Sequence, residues 1–274
     1  MRVVTRTRAY DALFEEFFDI YKRRPITSNA GGMLLPHMFA TWVFIRESEP
    51  EVVLESGIWR GQSTWLIEQA TNADIISVDL ELGNRAYISK RAKYVDIDFS
   101  HLDLSALPKT KTVLFFDDHV NAFERLMQGR AWGFANFIFE DNYPPGQGDI
   151  PSLKQMQQAA YDAYGASRVA KTRNWRDAVK RNLRPLVAKW DYRAERYDPA
   201  MLQSALAALD YDYEEFPPLK TFPDTRWGTD WRATYGDVQA CLDPAKLSPE
   251  AAALVDREGR GYTSICSVRL PQVP

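Results

Sequence analysis

Glu55-Ser56-Gly57-Ile58-Trp59-Arg60-Gly61-Gln62-Ser63-Thr64, followed by Asp79, is the first group with the residue types for chemistry. Gly57 lets the backbone turn sharply and come close to a ligand. Gly61, Ser63 and Thr64 suit a helix N-terminus, whose free N–H groups favour an anion or a polar ligand. The acid Glu55 argues against a phosphate cradle, and no Gly-Lys-Ser/Thr of a nucleoside-triphosphate loop is present. A ligand with a cationic centre, an amine or hydroxyls fits better. Asp79 follows Gly57 by roughly 20 residues, the spacing at which a carboxylate ending the second strand accepts ribose hydroxyl protons. Together these features predict a nucleoside-containing cofactor held by Glu55, Gly57, Trp59, Gly61, Ser63 and Asp79. An ordinary strand-to-helix turn is the competing reading.

The second group is Asp117, Asp118, Glu140 and Asp141. These acids close two apolar runs, and strand ends that neighbour each other would crowd the carboxylates. Such charges repel unless a cation or shared protons compensate. Oxygen ligands suit Mg²⁺, Ca²⁺ or Mn²⁺ better than zinc. His119 is a candidate base on a substrate hydroxyl. Helix capping, or pairing with arginines of a basic segment further on, is the alternative.

Short apolar runs and helical stretches alternate to position these residues. Glu51–Ser56, Asp74–Asp79, Lys93–Phe99, Thr112–His119 and Phe134–Tyr143 read as strands one to five. The last two are continuous apolar runs, as in strands covered on both faces. Asp98 or Phe99, ending the third, is placed to meet an adenine ring. Helices are predicted over Ala9–Lys22, with an aromatic stripe, and Leu34–Glu47. Between them Thr27-Ser28-Asn29-Ala30-Gly31-Gly32 is a loop that caps the helix or closes over the cofactor. His37 reads as a packed histidine rather than a ligand. Ala122–Gly129 and Met201–Leu209 are further helices. Tyr211–Phe216 and Gly261–Leu270 read as strands, and 226–232 as a polar loop.

The predicted fold is α/β: a doubly wound, mostly parallel, seven-stranded sheet with N-terminal helices and a helical insertion after strand five. The division expected is 1–50 helical, 51–143 cofactor-binding, 144–210 insertion or cap, and 211–274 completing the sheet. Residues 168–196 carry ten Lys/Arg against three acids, with Trp175 and Trp190. A solvated helix face, a substrate cap and a nucleic-acid surface are its readings, in that order. The chain has 274 residues, 45% hydrophobic, with a net charge of −3, which gives no general argument for nucleic acid. Cys241 and Cys266 are the two cysteines, so a disulfide framework and a cysteine zinc site are not expected. The longest apolar segment, Met33–Ile45, is too short to span a bilayer, and no signal core opens the chain. The expected address is the cytoplasm.

The run Glu55-Ser56-Gly57-Ile58-Trp59-Arg60-Gly61, with Asp79, resembles the first motif and second-strand acid of class I S-adenosylmethionine-dependent methyltransferases. More narrowly, it is similar to the macrocin O-methyltransferase group and its cephalosporin-hydroxylase-like relatives. The resemblance covers roughly 51–143. It implies a Rossmann-like methyltransferase fold, S-adenosylmethionine as cofactor, and a divalent metal such as Mg²⁺ on Asp118, Glu140 and Asp141. Phe115-Phe116-Asp117-Asp118-His119 departs from that group's Asp-Gly-Asp order, which leaves open whether Asp117 or Asp118 is the ligand. The activity implied is O-methylation of a small hydroxylated, sugar-like molecule, with His119 and Asp118 as catalytic residues. A homo-oligomer is compatible with it. A metal-dependent hydroxylase or hydrolase on the same fold, and a non-enzymatic binding protein, are the rivals.

Overall fold

A computed structural model describes residues 1–29, 31–145, 147–148, 150–158 and 199–271. The expectations for 168–196, including Trp175 and Trp190, lie outside the described residues. Elements are numbered in chain order among those described.

The strands are β1 (Arg2–Val3), β2 (Val52–Ser56), β3 (Asp74–Val78), β4 (Ala92–Val95), β5 (Thr112–Phe116), β6 (Asn136–Phe139), β7 (Asp212–Glu215) and β8 (Cys266–Arg269). They form one sheet in the order β1-β7-β8-β6-β5-β2-β3-β4. β8 runs antiparallel to β6 and β7, and every other pairing is parallel. The expected seven strands are joined at one edge by the two-residue β1, too short to leave a pattern in the sequence.

The helices are α1 (Tyr10–Tyr21), α2 (Leu35–Ser48), α3 (Gln62–Ala70), α4 (Ala122–Ala131), α5 (Leu153–Gln157), α6 (Pro199–Ala207), α7 (Trp231–Tyr235) and α8 (Pro249–Glu258). None is long and apolar enough to cross a membrane. α2 is buried from Leu35 to Ile45 on all sides, which explains its lack of a polar face. α7 falls in the stretch read as a polar loop; Asp230 caps it by accepting from Ala233 N at 2.7 Å.

Alternation along the central strands shows that both faces are covered. Val113 and Phe115 join a core with α1, α2, α3 and α8. Leu114 and Phe116 join the opposite core with α4, α5 and α6. Successive side chains in a strand point to opposite faces, so a continuous apolar run serves two layers at once. From β2 the chain moves outward through β3 to β4, then returns to place β5 on the other side of β2. That reversal opens a crevice at the carboxyl ends of β2 and β5, where ligands bind in open α/β sheets.

Candidate functional site

The turn after β2 is shaped by glycine. Gly57 has φ +94°, and a Cβ there would lie 2.1 Å from the Asp117 carbonyl oxygen. Gly61, capping α3 at φ +86°, would bring a Cβ within 2.4 Å of the Tyr87 carbonyl oxygen. Positive φ and backbone contact together admit only glycine at both places. Trp59 is held in the left-handed region at φ +44°. Its exposed indole lies against the loop at Gly31 and Gly32.

A cavity of about 470 Å³ opens at the carboxyl ends of β2–β5. Its lining includes Gly31, Gly32, Gly57, Trp59, Asp79, Asp98, Asp117, Asp118, His119 and Arg125. The 27–32 loop therefore does reach the cavity. The volume is that of a small-molecule or cofactor site.

Asp79 lies on the cavity wall, but its carboxylate also organises the turn. Oδ2 accepts from the Ile58 and Trp59 amides at 2.7 and 3.0 Å, and Oδ1 from the Glu81 amide at 3.0 Å. Glu55 lies beneath the turn rather than on the cavity lining. It is fully buried and accepts from Thr64 Oγ1 at 2.6 Å and Ser77 Oγ at 2.5 Å. Ser63, also buried, adds to this hydroxyl shell. Burial pushes the Glu55 carboxyl up to about 7, and the hydroxyls offset only part of that.

Arg125 has no counterpart in the sequence reading. Its guanidinium is buried and donates from Nη1 and Nη2 to Asp98 at 3.1 and 2.8 Å, and from Nε to Asp118 at 2.8 Å. It staples the loops after β4 and β5 across the floor of the cavity. Asp98 is thereby held well below the ordinary carboxylate range: burial opposes this, and the Arg125 bonds outweigh it. Asp98, read as an adenine contact, is first of all the partner of this arginine.

The same contact separates Asp118 from the acids with which it was grouped. Asp118 Oδ2 also accepts from Ser56 Oγ at 2.6 Å. Instead, Asp117, His119 and Asp141 come together, each offering a ligand atom within 4.8 Å of the others. Neighbouring residues at a strand end point to opposite sides, so Asp117 and Asp118 cannot both face one ion. Glu140 is occupied as well. Its carboxylate contacts His37 Nδ1, and His37 Nε2 lies 2.9 Å from Thr263 Oγ1. Burial alone would raise the Glu140 carboxyl; the buried His37 beside it holds it low, with a smaller contribution from Arg226.

Asp141 Oδ2 is buried and makes no hydrogen bond, and His119 Nδ1 lies 3.7 Å from it. Burial, then the charge of Glu140, raises Asp141 well above its ordinary value. Asp117 is raised in the same way, by burial and then by Glu140 and Asp141. Neighbouring carboxyls raised in this way are groups from which a bound cation would displace protons, since its charge compensates theirs. The chemistry available is hard-cation binding beside a cavity sized for a cofactor.

No family model matches the chain, and no curated protein does. Among solved structures it is similar to CmcI with SAH, at 20% identity and TM-score 0.33, over 40% of this chain and 62% of that one. It therefore spans less than two thirds of that structure's length. It is similar to a methyltransferase from Geobacter sulfurreducens at 15% identity and TM-score 0.33, over 50% of this chain and 72% of that one. The plantazolicin methyltransferase BpumL with SAH is matched at 12% identity and TM-score 0.39, over 96% of this chain and 95% of that one. Likenesses of this size do not carry an assignment. The chain's membership in the doubly wound, Rossmann-like α/β class rests on its own strand order and strand directions.

Proposed function

We propose that this chain is an S-adenosylmethionine-dependent O-methyltransferase acting on a small hydroxylated molecule with the help of a hard divalent cation such as Mg²⁺. The observation that carries the reading is the glycine turn with Asp79 on a cavity of about 470 Å³ whose rim meets Asp117, His119 and Asp141. A cofactor cavity and a cation cluster at one switch point suit transfer from a bound donor to a substrate oxygen.

The donor set fits a hard cation, being two carboxylates and one imidazole with a buried, unbonded Asp141 oxygen among them. Asp117, His119 and Asp141 would hold it, in place of the set Asp118, Glu140 and Asp141 expected from sequence. The cation supplies a Lewis acid that lowers the pKa of a substrate hydroxyl. Asp79 and the glycine turn orient the nucleoside side of the cofactor, while Trp59 and the Gly31–Gly32 loop shield it from water. His119 stands where the cavity meets the cluster. Without a cation it is placed to take the hydroxyl proton, and Asp141 balances the imidazolium; with one, the same ring is a ligand.

Titration calorimetry with S-adenosylhomocysteine tests the reading. Binding is expected, weakened in Asp79→Ala by on the order of 1–3 kcal/mol. An absence of binding to the folded protein removes the assignment, and an unchanged affinity in the variant removes Asp79 from it.

A further inference from the structure

The tip of the loop between β7 and α7 reaches Tyr143, two residues after Asp141, and is not part of the cavity lining described above. Arg226 Nη2 donates to Tyr143 Oη at 3.3 Å, and Tyr143 stands close enough to Asp141 that burial and then the Asp141 charge raise its phenol. The guanidinium lies over the Trp227 ring at 4.2 Å, and Trp227 meets Tyr143 edge-on at 5.7 Å. Both tip residues are exposed, Trp227 at 38%.

This tip is built rather than loose. Buried Thr225 donates its amide to the Thr229 carbonyl at 2.8 Å, and its Oγ1 accepts from the Trp227 amide at 3.2 Å. Below it, Trp231 packs on Tyr235, Tyr262 and Phe222. An exposed tryptophan and arginine on a pinned turn form a surface available to a ligand.

Arg226 forms no ion pair among the described residues. Of a guanidinium's five donors, one reaches Tyr143. Beside a cluster of acids, an anion would be repelled unless a cation of this kind received it. We propose that Arg226, Trp227 and Tyr143 form the substrate-selecting wall of the site, and that the substrate is a hydroxylated ring carrying one anionic group. The ring lies against the tryptophan, its anion meets Arg226, and its hydroxyls point to the cluster. This deepens the methyltransferase reading, but the wall itself can be tested without the cofactor.

Two matched probe pairs decide it by calorimetry on the full chain with Mg²⁺: catechol against 3,4-dihydroxybenzoate, and glucose against glucuronate. The acid of at least one pair is expected to bind about tenfold more tightly than its neutral partner. The pair that responds tells an aromatic ring from a sugar. Arg226→Gln should erase the preference and leave the neutral probe unchanged, which loss of structure would not do. Trp227→Ala should weaken both members. Equal binding within both pairs, no binding of any probe, or a preference surviving Arg226→Gln overturns the proposal. Failure of S-adenosylhomocysteine to bind, with the anion preference intact, would strike the cofactor reading and leave the wall.

Discussion

Glu55 is the group whose protonation should be most visible in stability. Its carboxyl is fully buried in β2, with hydroxyl donors on Oε2 and no hydrogen bond at Oε1. Burial moves it from 4.5 to about 7. An acid whose folded value lies above its unfolded value makes the native state bind more protons than the unfolded one across that window. The native state therefore loses stability as pH rises from about 4.5, and the loss is complete above about 7. At about 1.4 kcal/mol per pH unit the interval bounds the effect at roughly 3 kcal/mol. Glu55→Gln removes the titration while retaining the shape. Urea unfolding of both proteins at several values between pH 5 and pH 8 gives the difference in stability. Asp117 and Asp141 titrate in both and cancel to first order. The wild type should lose stability relative to the variant as pH rises, by on the order of 1–3 kcal/mol. Parallel curves, or a wild type that gains on the variant, would refute the reasoning.

Arg125→Met should leave Asp98 and Asp118 buried without their partner, at a cost of about 3–5 kcal/mol in chemical denaturation; a loss under 1 kcal/mol would show that solvent already pays for these charges. Gly57→Ala should destabilise by about 2 kcal/mol or more, because both the positive φ and the Asp117 carbonyl oppose a methyl group; wild-type stability would mean the turn can move. Mn²⁺ or Mg²⁺ should raise the melting temperature, and Asp141→Asn should abolish the rise while Asp118→Asn, at a temperature where it is folded, keeps it. A rise lost in Asp118→Asn alone would restore the ligand set expected from sequence.

Local patterns were legible without a structure. The turn at Gly57 and Gly61 is announced by glycines set between an apolar run and a helix start. The apolar stretches Val52–Leu54, Ile75–Ile76, Val113–Phe116 and Phe137–Phe139 are legible because two layers cover the strands that carry them. Helices α1, α2 and α4 fall within a residue or two of where periodicity and capping place them. Elements of two residues, such as β1, or of one turn, such as α7, carry too little pattern to be seen.

Partners across the fold were not legible. Asp117 and Asp118 are adjacent letters, yet the strand's pleat sends one toward His119 and Asp141 and the other to Arg125. Grouping Asp118 with Glu140 and Asp141 followed from the family resemblance and from neighbouring strand ends, neither of which sets side-chain direction. His37, read as a packed histidine, is buried as expected, but its contact with Glu140 depends on how α2 crosses the sheet. Arg226 was read only as part of a polar loop, and its contact with Tyr143 depends on the fold. The chain by itself determines which stretches bend, bury or stay exposed, because those are costs borne residue by residue. Which charges meet is decided by tertiary structure, because each pairing depends on two backbones placed far apart in sequence and fixed by the packing between them.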